Sequence, residues 1–212
     1  VLPPRIANQI AAGEVVERPA SVVKELVENS IDAGATAVTI EIENGGLDSI
    51  RITDNGGGIA DDDCETAFLR HATSKIATAN DLFSIRSLGF RGEALASIAA
   101  VSRVTLQTRT EEDELGTIIR YEGGELVEHK RTAGTRGTSI EVRNLFYNVP
   151  ARLKFVKSAR AESAAIGDYV ARLMLSAPQI SVHYVSGGKT VYRSAGNGSE
   201  KDALLSVYGI GV

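Results

Sequence analysis

The sequence lacks most of what builds cross-linked, zinc-bound or membrane-spanning proteins. Its 212 residues include one cysteine, Cys64, and three histidines, which excludes an internal disulfide and a cysteine–histidine zinc cluster. Its apolar runs fall short of the ~20 residues that a membrane span needs, and charged residues interrupt the N-terminal stretch. We therefore expect a folded protein of a reducing compartment, the cytoplasm.

A basic excess is also missing. Lys and Arg number 23 against 27 Asp and Glu, a formal net charge of −4, so the whole chain does not have the composition of an autonomous nucleic-acid binder. With ~150 residues in a typical domain, the length predicts one large domain or a domain plus a fragment. Because the chain begins with Val1 and ends on YGIGV, we expect further chain after Val212.

The first strong pattern is an amphipathic helix. Pro19 is suited to a first helical position, and apolar residues follow at 22, 23, 26, 27 and 31. At ~100° per residue, the other face carries Glu25, Asn29 and Asp32 in one narrow stripe. This stripe is the first candidate site.

Period-two alternation then predicts a sheet. VTIEIEN and SIRITDN form a predicted hairpin, and four more strands are expected in RVTLQTRT, GTIIRYEG, GELVEHKR and GTSIEVRNLFY. Helices are expected over 61–70, in the second half of GFRGEALASIAA and over 159–176, and the chain ends in another hairpin and a short helix. The fold class is α+β: a mixed, mostly antiparallel sheet with helices on one face.

Two common nucleotide motifs are absent. SGGKT at 186–190 imitates the end of a P-loop, but the motif needs glycine at 183, where His183 stands. The string therefore predicts a hairpin turn. There is also no G-x-G-x-x-G, so the dinucleotide fingerprint is missing.

The strongest constellation consists of three motifs in order: the Glu25 stripe, DNGGGI at 54–59 and GFRGEAL at 89–95. A carboxylate such as Glu25 can accept a proton from attacking water, and the Asn29 amide can ligate Mg²⁺. Asp54 can accept a hydrogen bond from the amino group of adenine, whereas guanine would present a carbonyl oxygen. Backbone N–H groups at 89–93 suit a polyphosphate, with Arg91 and Lys75 as charge partners.

Each motif alone has a simpler explanation. Polar residues on a helix face are usually solvated, a glycine triplet is usually a turn, and GFRG suits any helix start. Their order along the chain is what favours a site for ATP.

These residues carry a family resemblance. ELVENSIDAGA, DNGGGI, RHATSKI, GFRGEALASI and GTSIEVRNLFYNVPAR resemble successive motifs of the N-terminal ATPase region of MutL DNA mismatch-repair proteins. The resemblance covers essentially the whole chain and becomes looser after about residue 155. The wider GHKL group includes the DNA gyrase B subunit, the ninety-kilodalton heat-shock chaperones and sensor histidine kinases. It implies a Bergerat-type α/β sandwich that binds Mg·ATP beneath a mobile lid.

The resemblance also implies roles for individual residues. Glu25 is the expected general base, Asn29 the Mg²⁺ ligand and Asp54 the adenine contact, with Gly58 lining the pocket and Thr138 supporting it. The full set of implied ATP-binding residues is Asn29, Asp32, Asp54, Gly58, Ile59, Thr73, Ser74, Lys75, Leu88, Gly89, Phe90, Arg91, Gly92, Glu93, Ala94, Leu95 and Thr138.

For the whole protein, the resemblance implies slow Mg²⁺-dependent ATP hydrolysis in which lid closure and dimerisation relay mismatch recognition to repair factors. Expected partners are DNA, a mismatch-recognition protein, a downstream nuclease or helicase, and a second copy of the chain. We expect residues 1–200 to form the ATPase domain and 201–212 to begin the connection to a second domain. That domain supplies a further phosphate-contacting lysine in the family, so we expect this fragment to be a monomer with an incomplete catalytic set.

Two alternatives to a hydrolytic relay remain. In the first, the chain is a nucleotide-responsive scaffold in which cleavage is incidental. In the second, it is a histidine-kinase catalytic domain, which GFRGEAL and LFYNVPAR disfavour. A locally basic stretch is the candidate DNA-contact face, against the usual explanation of solvated charge; its Lys and Arg residues lie at 130, 131, 136, 143, 152, 154, 157 and 160.

Overall fold

The computed structural model describes residues 12–13, 15–69 and 93–209. Among them the helices are α1 (Pro19–Asp32), α2 (Asp61–Cys64), α3 (Ala94–Ala100), α4 (Pro150–Leu153), α5 (Ala159–Ser176) and α6 (Glu200–Tyr208). The strands are β1 (Ala37–Glu43), β2 (Ser49–Asp54), β3 (Arg103–Arg109), β4 (Gly116–Glu122), β5 (Glu125–Thr132), β6 (Gly137–Arg143), β7 (Ser181–Ser186) and β8 (Lys189–Arg193).

The strands form one sheet in the order β5-β4-β3-β6-β2-β1-β7-β8. Each neighbouring pair is antiparallel except β1 and β7, which are parallel. The predicted mixed, mostly antiparallel sheet is thus confirmed. The β7–β8 hairpin also confirms that SGGKT is a turn between strands.

The two faces of the sheet differ in polarity, as the period-two alternation predicts. Ile40 pairs with Ile52, and Ile42 with Ile50, and all four are at most 2% exposed beneath the helices. On the opposite face Arg51 and Glu141 form an ion pair of 2.7 Å. Burial of one face against helices fixes the register, because a one-residue slip would turn the isoleucines to water.

Helices α1 and α5 cover the buried face side by side. α1 buries Val22, Val23, Leu26 and Val27, and each fully buried side chain of this size contributes about 1.5–3 kcal/mol. α5 spans the residues that the sequence predicts, and its N-cap Ser158 accepts a hydrogen bond from the backbone N–H of Ala161. The apolar pattern therefore determined both helices.

An ion pair with a buried carboxylate joins the start of α1 to α5. Arg18 Nε lies 3.0 Å from Glu162 Oε2, and the Glu162 side chain is 1% exposed. The backbone N–H of Lys157 donates to the other carboxylate oxygen at 3.3 Å. Just before α1, Arg152 Nη1 donates to the carbonyl oxygen of Val16 at 2.8 Å. These contacts set the position of the helix that carries the candidate stripe.

Two element boundaries differ from the prediction. The helix expected over 61–70 is the single turn α2 followed by a 3-10 turn at Thr66–Phe68, where Phe68 stacks on Tyr121 with ring centroids 4.3 Å apart. The strand expected to continue to Tyr147 ends at Arg143, because Asn144 and Phe146 adopt positive φ angles of 52° and 67°. Such backbone cannot continue a β-ladder.

The C-terminal helix α6 packs on α5 and β8, with Ala203 buried. The predicted domain boundary at 200/201 falls at the start of this helix, and the second domain stays a prediction. No helix among residues 12–13, 15–69 and 93–209 is long and apolar enough to cross a membrane.

Candidate functional site

Asp54 stands at the end of β2, where three donors fix its carboxylate. Ser30 Oγ donates to Oδ2 at 2.7 Å. The backbone N–H groups of Gly56 and Thr138 reach Oδ1 at 2.9 and 3.3 Å. With both oxygens oriented by the protein, the carboxylate is a positioned acceptor at the rim of the sheet.

Ser30 links this carboxylate to the candidate helix. It is 4% exposed on the buried face of α1, and its hydroxyl also lies 3.2 Å from the carbonyl oxygen of Leu26. Sequence analysis missed Ser30. A serine on the apolar side of a helix is a usable signal, because a buried hydroxyl needs a partner.

Two further hydroxyls extend these hydrogen bonds into β3 and β6. We call the bonded residues Ser30, Asp54, Thr108 and Thr138 the Asp54 network. Thr138 Oγ1 and Thr108 Oγ1 are 3.0 Å apart, and Thr108 and Thr138 are 2% and 8% exposed. The backbone N–H of Ile59 donates to Thr108 Oγ1 at 2.9 Å. The structure thus connects Asp54 to Thr138 directly, and Thr138 to Ile59 through Thr108. Sequence analysis did not single out Thr108.

Two glycines allow this close approach of backbones. Gly58 has a φ of 75°, and a Cβ there would lie 2.2 Å from the carbonyl oxygen of Arg109. Gly137 has a φ of 108°, and a Cβ there would lie 2.1 Å from the carbonyl oxygen of Asp54. Both positions require glycine for the conformation and for the space.

The stripe of α1 leads away from this network. Glu25, Asn29 and Asp32 are all half-buried. The end of α1 contacts the loop at 54–59, which we call the glycine loop: the N–H of Gly57 donates to the carbonyl oxygen of Ala33 at 2.9 Å. With a rise of 1.5 Å per residue, Glu25 lies about 7–8 Å along the helix from Ser30. Along the helix axis Glu25 is therefore the member of the stripe farthest from Ser30, whereas Asn29 directly precedes Ser30 in the sequence.

Tyr169 of α5 lies near the same helix face. Burial raises the pKa of its phenol, and the carboxylates of Glu28 and Glu25 raise it further. The environment of Glu25 therefore includes a neutral phenol group at physiological pH.

The structure describes nothing of the RHATSKI segment and only the end of the third motif, GFRGEAL. Thr73, Ser74, Lys75, Leu88, Gly89, Phe90, Arg91 and Gly92 lie outside the described residues. Glu93 immediately precedes α3, whose first residues are Ala94 and Leu95, and all three are half-buried. The backbone N–H of Ser97 donates to the carbonyl oxygen of Glu93 at 2.9 Å.

Most of the basic residues in the candidate DNA-contact stretch form ion pairs or hydrogen bonds with other residues of the chain. Lys130 pairs with Glu128, Arg136 with Glu111 at 2.7 Å and Arg143 with Glu141 at 2.9 Å. Arg131 and Arg152 also make internal contacts. These contacts give five of the eight basic residues a structural use, and a DNA-contact face stays a prediction.

Comparison with known proteins places the chain in a class. A family model described as histidine kinase-, DNA gyrase B-, and HSP90-like ATPase matches residues 17–145, which includes α1, Asp54, the glycine loop and Thr138. The class of protein is that of the GHKL ATPases.

Relatives identify the branch of that class. The chain is 54% identical to the DNA mismatch repair protein MutL of Streptococcus sanguinis over 209 residues, which is 99% of this chain and 32% of that protein. It is 54% identical to MutL of Shouchella clausii over 204 residues, 96% of this chain and 31% of that protein. The chain thus spans about a third of the length of these curated relatives.

Solved structures give the same result. The Aquifex aeolicus MutL ATPase domain complexed with ADP aligns with a TM-score of 0.73 and 31% identity, covering 92% of this chain and 70% of that one. The N-terminal domain of a DNA repair protein aligns with a TM-score of 0.76 and 28% identity over 97% of this chain and 61% of that one. The chain belongs to the MutL family of DNA mismatch-repair proteins.

Proposed function

We propose that this chain binds ATP beside α1, where β2 and β3 end and β6 begins. The observation that supports this proposal is the Asp54 carboxylate, held by Ser30, Gly56 and Thr138 at an edge where Gly58 lets the loop approach β3. A fixed acceptor suits the exocyclic amino group of adenine, whereas the carbonyl oxygen of guanine would face it unfavourably. Gly58 and Ile59 would line the base pocket.

Hydrolysis is assigned to the stripe of α1. Glu25 would accept the proton of the attacking water. Asn29 offers a neutral amide oxygen, a donor that fits Mg²⁺, and Asp32 would contact the nucleotide. When bound, the ion would neutralise phosphate charge. Asn29 would hold the ion, and Glu25 would orient the attacking water.

The phosphates would be bound by the motifs at 73–75 and 88–95. This assignment rests on the family resemblance and on the position of Glu93, Ala94 and Leu95 at the start of α3. The residues that would make these contacts are Thr73, Ser74, Lys75, Leu88, Gly89, Phe90, Arg91, Gly92, Glu93, Ala94 and Leu95.

In the whole protein, we propose that ATP closes the lid and brings two copies together, and that slow hydrolysis separates them again. This cycle would relay mismatch recognition on DNA from a mismatch-recognition protein to a nuclease or helicase. ATP can shift such an equilibrium only through its different affinity for the two states.

Calorimetric titration with ATP and with GTP, with and without Mg²⁺, tests the proposal. We expect ATP to bind and GTP to bind at least about ten-fold more weakly, because the Asp54 acceptor faces an acceptor in guanine. Equal affinity for the two nucleotides would contradict the role of Asp54.

A second experiment separates nucleotide binding from hydrolysis. The variant Glu25→Ala should bind ATP as the unchanged chain does and should lose turnover in a protein that includes the next domain. If turnover of the variant equals that of the unchanged protein, Glu25 is not the general base. Partner binding that is complete without hydrolysis would favour the scaffold alternative.

A further inference from the structure

A cluster of charged side chains holds α2 against the edge strand β5. His129 Nδ1 lies 2.7 Å from Glu65 Oε1, and His129 Nε2 lies 3.0 Å from Asp61 Oδ1. Arg131, two residues further along the same strand, approaches Asp61 Oδ2 to 3.3 Å. We call Asp61, Glu65, His129 and Arg131 the β5 clamp.

The geometry of the imidazole specifies its protonation state. A neutral histidine has one N–H donor and one acceptor nitrogen, so one of the two carboxylates of the clamp would face a lone pair. The doubly protonated ring donates to both carboxylates. Only the imidazolium therefore satisfies both contacts in this arrangement.

Other charged and titratable groups around His129 favour the same state. Arg131 also reaches Asp113 Oδ1 at 3.4 Å and the carbonyl oxygen of Leu115 at 2.7 Å, so Asp113 shares that cation. Burial raises the pKa of the Cys64 thiol to about 11, and burial raises the pKa of Tyr121, next to Glu65. Both groups are neutral near physiological pH, which leaves the carboxylates as the groups that respond to His129.

The clamp lies directly after the glycine loop of the candidate site. Only Ala60 separates Ile59, whose N–H is bound by Thr108, from Asp61. Upstream, Gly58 rests against the backbone of Arg109, and Arg109 Nη1 donates to the carbonyl oxygen of Asp113 at 2.9 Å. The segment 58–65 is therefore held at one end by β3 and at the other by β5.

We infer that His129, in its protonated form, is a positioning residue that holds Asp61 and Glu65 on β5 and so keeps Gly58 and Ile59 in the arrangement that binds nucleotide. Nucleotide affinity then falls as His129 loses its proton. This inference rests on the proposed nucleotide binding and adds to it a dependence on pH.

The direction of the pH effect follows from the contacts. Hydrogen bonds to Glu65 and Asp61 raise the pKa of His129 above its ordinary value. The clamp is therefore complete below about pH 6.5, and it is lost as the pH rises through the raised value. Asp61 acts in the opposite direction, since bonds from Thr117, His129 and Arg131 lower its pKa and its contribution is lost only in acid.

The test is an ADP titration of the full chain at about pH 6 and about pH 9, with the variant His129→Gln. ADP itself titrates near the lower pH, so the measured quantity is the ratio of the dissociation constants of variant and unchanged protein. At the lower pH we expect the variant to bind about three-fold more weakly, in line with partly exposed charge pairs. At the higher pH the ratio should approach one.

His183→Gln is the matched control. His183 also lies on a strand, but its Nε2 contacts the hydroxyl of Thr190 at 3.0 Å, and no carboxylate of the residues that the structure describes contacts its ring. Its ratio should be one at both pH values. A ratio for His129→Gln that stays constant between the two pH values, at one or above it, overturns the inference while leaving nucleotide binding intact.

A second measurement separates failure of the inference from failure of the proposed function. In the nucleotide-free protein, an NMR titration should give His129 a raised pKa that falls in Glu65→Gln, whereas Asp62→Asn, an exposed neighbour, should leave it unchanged. If the pKa of His129 in the unchanged protein is ordinary, the inference is wrong, whether or not the protein binds nucleotide. Failure of the unchanged protein to bind ADP at either pH overturns the proposed function and with it the role of His129, even if the clamp itself is present.

Discussion

The Asp54 network and the β5 clamp hold the two ends of one loop by different physical means. At Asp54 the donors are hydroxyls and backbone N–H groups, and Ser30, Thr108 and Thr138 are at most 8% exposed. In the clamp the partners are charged and the side chains are 25% to 52% exposed. Buried neutral donors are directional and insensitive to salt, whereas exposed charges are screened and respond to pH.

The comparison suggests a division of roles. The end of the loop that would define the base is fixed by groups that keep their protonation state across physiological pH. The other end is held by His129, whose charge depends on pH and whose pKa the two carboxylates raise. Substitutions at buried and exposed anchors should therefore differ in size and in their dependence on salt.

The largest effect is expected for Gly137→Ala. The new Cβ would lie 2.1 Å from the backbone oxygen of Asp54 at a φ of 108°, and neither atom can move without breaking the β2–β6 ladder. We expect a loss of about 3 kcal/mol in the free energy of unfolding, measured by urea denaturation. Gly187→Ala is the control: its φ is 57° with nothing within 4 Å, so about 1 kcal/mol is expected. Equal losses would show that the contact with Asp54 is unimportant.

The next effect compares a buried with an exposed ion pair. Glu162 is 1% exposed, and Glu162→Gln removes the charge that pairs with Arg18. We expect a loss of about 1–2 kcal/mol in the free energy of unfolding. In the control Glu122→Gln, the partner Arg103 and Glu122 are 48% and 51% exposed, and less than about 0.5 kcal/mol should be lost. Thermal unfolding of both variants decides, and a larger loss for Glu122→Gln would reverse the comparison.

A smaller change in stability but a clear change in binding is expected for Ser30→Ala. Removing the 2.7 Å bond to Asp54 should cost about 1 kcal/mol of stability and about ten-fold in ATP affinity. Ser97→Ala is the control, because Ser97 is 1% exposed and its hydroxyl has no hydrogen-bond partner within the described part of the chain. That change should be neutral or slightly stabilising. Unchanged ATP affinity in Ser30→Ala would mean that Asp54 needs no support from α1.

The smallest effect is expected on the exposed face of the sheet. Arg143 and then Arg51 lower the pKa of Glu141, so its contribution is present above pH 4.5 and is lost as the pH falls through the lowered value. Glu141→Gln should cost about 0.5 kcal/mol near neutral pH. Most of that loss should disappear at about 1 M salt, where the screening length is about 3 Å. A loss that persists in high salt would show that this face is not governed by screened charge.

Local patterns predicted most elements well. Helices α1 and α5 and the eight strands follow from apolar periodicity and from Pro19 and glycine positions. The predictions were wrong where backbone conformation or a distant contact decided the outcome, at the end of β6 and in 61–70. Phe68 turns inward there because Tyr121, far along the chain, provides an aromatic surface.

The candidate site divides in the same way. Asp54, Gly58 and the α1 stripe were recognisable because each lies in a short motif whose residue types suit nucleotide chemistry. Ser30 and Thr108 were not, because a buried serine or threonine has no distinctive spacing. Their roles arise only from the β3–β6 register, which places Thr108 opposite Thr138, and from the packing of α1 on β2.

The sequence alone thus determined the class of fold and the order of the motifs, and it supplied the prediction of which residues would meet adenine and water, because these depend on local spacing and chemistry. Tertiary structure decided which hydroxyls orient Asp54 and that His129 faces two carboxylates. Those contacts join residues 24 and 64–68 positions apart. Chain separations of this size are closed only by sheet register and helix packing, which no short motif encodes.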